Sequence, residues 1–158
     1  MRAMNVILAS ALMALACVLI TADSSFASSY GLADGWTEVR PQEGRQAAVF
    51  HSESLTRMEA WRIKLSGKEL KRFQAQLERR LKGRGFRPER SYEVKLAGGT
   101  ATVTSWSRTF QERPFTLKIV EVYRQGKLWQ FSSTFAEGEG AAVWEEDLIT
   151  FAGALLSS

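Results

Sequence analysis

The sequence is nearly devoid of thiol and imidazole: among 158 residues the only cysteine is Cys17 and the only histidine is His51. So few nitrogen and sulfur ligands exclude a tetrahedral zinc site. A lone cysteine also excludes an intrachain disulfide, so a folded domain must rely on an apolar core. Prolines number only three, and no Pro-rich linker or low-complexity stretch divides the chain. The apolar run from Val6 to Ile20 is about 15 residues long, short of the roughly 20 needed to span a bilayer as a helix. Neither a Gly-x-Ser-x-Gly elbow nor a lysine-bearing phosphate loop occurs, so no catalytic, metal or cofactor site is expected.

What is present begins with an export pattern. Arg2, the apolar run and the small-residue exit Ser25-Phe26-Ala27 have the order of a secretory signal peptide. Residues 1–27 are therefore expected to be cleaved, leaving a periplasmic or secreted protein that starts near Ser28 and has no transmembrane segment. The alternative is a lipoprotein acylated at Cys17. Against it, Ala14 occupies the place of a larger aliphatic residue, and Val18-Leu19-Ile20 follow where a polar tether is usual.

Residues 28–35 read as a flexible lead-in, and 36–158 as a single domain. Trp36–Arg40 and Gln46–His51 read as strands joined by the turn cluster Pro41-Gln42-Glu43-Gly44. In Met58–Leu65 the apolar Trp61, Ile63 and Leu65 alternate with Arg62 and Lys64, the pattern of a half-buried strand. Ser66-Gly67-Lys68-Glu69 has the capping-box form, and Leu70, Phe73, Leu77 and Leu81 recur at helical spacing. Gly85 supplies a stop, so a helix is predicted over about 67–84. Tyr92–Leu96 and Thr100–Gln111 are expected as a hairpin about Gly98-Gly99, followed by Phe115–Arg124, a turn at Gln125-Gly126, and Leu128–Phe135. Leu117 and Ile119 oppose Val120 and Val122 in parity, as in a sheet covered on both faces. After the break Glu137-Gly138-Glu139-Gly140, a helix over about 141–156 carries Trp144, Leu148, Phe151 and Leu155 on one face. The fold class is thus α+β, a central antiparallel sheet sandwiched by the two helices. The five tryptophans, Trp36, Trp61, Trp106, Trp129 and Trp144, fall across these elements and are expected mostly in the core.

The Gly35-Trp36 start, the Leu70–Leu81 helix, the Gly98-Gly99 hairpin, the Leu128–Phe135 strand and the Trp144–Leu155 helix together resemble the Mog1/PsbP-like fold family. The resemblance lies in element order and spacing across nearly all of residues 28–158. It implies a non-enzymatic interaction protein and names no partner, and no family site residue maps onto this chain.

Charge and polar residues refine that expectation. His51, between Phe50 and Ser52, reads as a core-edge or surface histidine; a serine–histidine site with Ser52 or Ser54 has no supporting motif. Glu137, Glu139, Glu145, Glu146 and Asp147 lack the spacing of a calcium loop and read as a solvated loop and a helix-dipole pairing. The net charge of +4 survives leader removal, since Arg2 and Asp23 leave together. Basic residues concentrate between Lys64 and Arg90. At a hundred degrees per residue, Lys68, Arg72, Arg79 and Lys82 fall opposite the apolar face of the first helix, forming a basic ridge suited to an envelope protein or an anionic surface. Nucleic acid is not expected, because export and the lack of a binding motif argue against it. The expectation is an exported binding or scaffold module of the cell envelope, with a small lipid or apolar-ligand carrier as the alternative and a periplasmic hydrolase behind both.

Overall fold

Alternating apolar residues dictate strands and the three-to-four spacing dictates helices, and the computed structural model, which describes residues 30–97, 99–136 and 141–158, follows that division. The leader (1–27), residues 28 and 29, Gly98 and the acidic break at 137–140 lie outside the described residues. The elements are β1 (Trp36–Glu38), β2 (Arg45–His51), β3 (Thr56–Lys64), α1 (Gly67–Gly83), β4 (Arg87–Leu96), β5 (Gly99–Phe110), β6 (Arg113–Arg124), β7 (Lys127–Ala136) and α2 (Ala141–Ser157). They build one seven-stranded sheet in the order β1-β2-β3-β7-β6-β5-β4. Every neighbouring pair is antiparallel. The long-range step is β7, which closes on β3 with Ala60 opposite Phe131 and so joins the N-terminal strands to the later meander.

Because strand residues alternate between faces, the two parities on β6 meet different helices. Leu117 and Ile119 pack with Trp106 of β5, Phe86, and Leu77 and Leu81 of α1. Val120 and Val122 lie on the other face with Val49, Met58, Val103 and Phe131, beneath Leu148, Phe151, Ala152 and Leu156 of α2. The α2 side is the larger core, and the sheet is covered on both faces as the parity of β6 predicts.

The first helix begins and ends as its sequence dictates. Ser66 Oγ accepts from Glu69 N at 3.3 Å while Ser66 N donates to Glu69 Oε2 at 2.7 Å. At the other end, Gly85 takes φ +82°. Its N–H donates to Lys82 O and the Phe86 N–H to Leu81 O, each at 3.0 Å, the paired bonds of a Schellman ending.

Three local expectations are corrected. β4 starts at Arg87 rather than Tyr92, which Pro88 permits because β4 is a sheet edge. Gly99 is the first residue of β5 and pairs with Leu96, so it belongs to the strand rather than the turn. Gln111 belongs to a two-residue turn with Glu112, both at positive φ (49° and 63°), although neither is a residue that favours this geometry. In the lead-in, Tyr30 meets Phe151 edge-on at 5.0 Å and Leu32 also packs on the core. Of the tryptophans, Trp36 and Trp106 are buried, whereas Trp61, Trp129 and Trp144 are half-buried.

Candidate functional site

The basic ridge is an outward stripe of α1. Leu81 is buried against the sheet, while Lys68, Arg72, Arg79 and Lys82 are all exposed. Lys82 pairs with Glu78 at 2.6 Å, one turn earlier. Arg79 Nε donates to the Ala75 carbonyl at 3.3 Å, which lays its guanidinium along the helix. Lys68 and Arg72 make no ion pair among the described residues.

On the opposite face, the start of β1, the end of β2 and the N-terminal part of α2 converge on an open cleft of about 440 Å³. Trp36 is buried, and its indole N–H donates to Asp147 Oδ2 at 2.9 Å. His51 lies between the two tryptophans, its ring centroid 5.2 Å from Trp36 and 4.8 Å from Trp144, both edge-on. Its Nδ1 accepts from the Ser54 N–H at 3.3 Å, with Ser54 Oγ also 3.2 Å away. An amide can only donate, so Nδ1 is the acceptor and the neutral ring carries its proton on Nε2. Gly35 (φ +98°) lies against that nitrogen, and a Cβ there would fall 2.3 Å from it. The nearby carboxylate, Asp147, is engaged by Trp36; among the described residues no carboxylate is hydrogen-bonded to His51. The His51–Ser54 contact closes the turn after β2.

Glu145, two residues before Asp147 on α2, forms a second polar cluster. It accepts from Lys118 of β6, from Arg90 of β4, and from the Tyr92 hydroxyl at 2.6 Å. Burial alone would raise the Glu145 carboxyl, but the bonds from Lys118, Tyr92 and Arg90 outweigh it and hold the group below its ordinary range. The Tyr92 hydroxyl is pushed up to about 12, by burial first and then by its bond to Glu145. These contacts correct the reading of Glu145 and Asp147 as solvated, dipole-paired acids: both are 8% exposed and each has a specific partner. Glu146 between them is exposed, as expected.

Neither cluster was assembled from sequence. Trp36 and Asp147 are separated by nearly the whole described chain, and only the Trp144-x-x-Asp147 spacing, one helical turn, hinted that these two share a face. Among the described residues, no group of three His, Cys, Asp or Glu side chains could hold a metal ion. No helix there is long and apolar enough to cross a membrane.

No family model and no curated protein matches the chain. Solved structures do match. LpqN of Mycobacterium tuberculosis, involved in cell envelope biogenesis, aligns with a TM-score of 0.52 at 13% identity, over 77% of this chain and 78% of its own. The Ran-binding protein Mog1p of Saccharomyces cerevisiae aligns with a TM-score of 0.50 at 9% identity, over 80% of this chain and 82% of its own. The chain has the Mog1/PsbP-like fold. Within that fold, the ridge lies on the helix that follows β3 and the cleft lies on the opposite face, at the C-terminal helix, so the two candidate surfaces are independent.

Proposed function

We propose that this protein is an exported, non-enzymatic binding module of the cell envelope, and that the α1 ridge engages an anionic partner, either an envelope protein or an anionic surface. The carrying observation is the placement of Lys68, Arg72, Arg79 and Lys82 along one exposed stripe of a helix whose opposite face packs on the sheet. Like charges in a row weaken a helix slightly yet steer an oppositely charged partner. The fold shared with a protein of cell envelope biogenesis and with a Ran-binding protein supports a binding role. Closure of the β2 turn by His51 and Ser54 supports a structural histidine over a hydrolytic one. A carrier would need room between the sheet and α2, and that region holds Phe131 and Phe151 with ring centroids 5.9 Å apart.

Replacement of Lys68, Arg72, Arg79 and Lys82 together by Gln tests the reading. The variant should keep its circular dichroism spectrum, because exposed substitutions each alter stability by no more than about 0.5 kcal/mol. Its capture of envelope partners and its binding to anionic vesicles should fall. Wild-type binding should weaken as salt rises, since exposed charges are screened over about 8 Å at physiological ionic strength. Equal binding by the two proteins across the salt series would remove the ridge from the functional account.

A further inference from the structure

The cleft on the α2 face has an electrostatic character opposite to that of the protein as a whole. The chain carries a net charge of +4, yet the described residues that line the cleft include Asp34, Glu53 and Asp147 and no lysine or arginine. None of the three carboxylates joins an ion pair among the described residues. Asp147 is the telling member. It is 8% exposed, and its one hydrogen bond among the described residues comes from the neutral Trp36 indole, to Oδ2. Buried carboxylates are ordinarily paired with a cation, as Glu145 of the same helix is with Lys118 of β6. Among the described residues Asp147 has no such cation.

The remaining wall is aromatic. Trp144 is half-buried at the cleft, held edge-on against Trp36 at 5.6 Å and against His51 at 4.8 Å. An indole face beside carboxylates attracts alkylammonium and guanidinium groups through the ring quadrupole. The opening of about 440 Å³ is far larger than a bare metal ion, and no cluster of metal ligands is found among the described residues. Anions are repelled by the three acids. We infer that this cleft binds an organic cation, an alkylammonium or guanidinium group, with Asp147 and Glu53 as its counter-charges and Trp144 as its aromatic wall. The site is independent of the α1 ridge and could hold the group either as a free small molecule or as a Lys or Arg side chain of a protein partner.

Calorimetry and tryptophan fluorescence on the purified protein, with tetramethylammonium, arginine amide and a Lys/Arg-rich peptide as probes, test the assignment. At least one of the cationic probes should bind saturably, and tert-butanol, a neutral molecule of similar shape to tetramethylammonium, should not. Asp147→Asn keeps an acceptor for Trp36 while removing the charge, and should weaken binding about tenfold, a loss of about 1.4 kcal/mol. Glu53→Gln on the exposed rim should weaken it by a smaller factor and keeps the test valid if Asp147→Asn proves unstable. Glu112→Gln, in the remote β5–β6 turn, should change nothing. Saturation by free cations would assign a small-molecule source, and saturation by the peptide alone a side-chain source. Absence of saturable binding by every cationic probe, equal affinity in the Asp147 and Glu53 variants, or equal binding of tert-butanol would overturn the inference.

Discussion

Glu145 carries one charge and receives three donors, which makes it a residue whose protonation is coupled to folding. Its carboxyl is held below the ordinary value of 4.5, so its contribution is complete above that value and is lost as pH falls through the lower, folded one. Tyr92 has the opposite sign. Its hydroxyl is raised from 10.0 to about 12, so the neutral, hydrogen-bonded form stabilises the fold below pH 10 and this contribution disappears as pH climbs toward 12. Urea unfolding across pH should therefore show a decline below about pH 4.5 and another between about pH 10 and 12. Tyr92→Phe should reduce the alkaline decline, and the ultraviolet phenolate titration should lose its latest component. An alkaline profile identical in wild type and Tyr92→Phe would show that this hydroxyl does not contribute.

Elements differ in how they end, and two glycines show what decides the difference. Gly85 ends α1 at φ +82°, and a Cβ there would meet nothing within 4 Å. Gly35 opens β1 at φ +98°, and a Cβ there would strike His51 Nε2 at 2.3 Å. Gly85→Ala should therefore lose only the left-handed backbone preference, about 1 kcal/mol. Gly35→Ala adds a collision with a buried ring and should lose clearly more. Denaturation midpoints of the two variants provide the comparison; a Gly35→Ala loss equal to that of Gly85→Ala would mean that His51 moves aside freely. The end of α1 was legible because a Schellman stop is local, with Gly85 and Phe86 sitting beside the residues they bond. The start of β4 was not, because Pro88 is tolerated only where the strand has no outer neighbour, and edge position is a property of the sheet.

At the scale of the whole molecule, the proposed export rests on Arg2, the apolar run from Val6 to Ile20 and the small-residue exit at Ser25-Phe26-Ala27. Ser25 and Ala27 place small side chains at the two positions a signal peptidase requires, so protein recovered from the cell envelope should begin close to Ser28. N-terminal sequencing provides the check, and retention of an acylated Cys17 would replace this reading with a lipid-anchored one. The described residues show how a domain without disulfides is held. One sheet serves two apolar layers of unequal size, the larger under α2 and the smaller under α1.

Sequence alone determined whatever is encoded over a few neighbouring residues: the capping box at Ser66 and Glu69, the helical spacing from Leu70 to Leu81, the opposed parities of β6, and the stripe of Lys68, Arg72, Arg79 and Lys82. Periodicity is a local property, so it can be read in one dimension. Tertiary structure alone decided that β7 enters between β3 and β6, that Glu145 and Asp147 are buried, and that Trp36, His51 and Trp144 surround one cleft. Those outcomes depend on which side chains meet across the sheet and on the water excluded when they do. An acidic run at the head of a helix has the same spacing whether it faces solvent or the Lys118 ammonium and the Trp36 indole, and only the packing of α2 on the sheet distinguishes them.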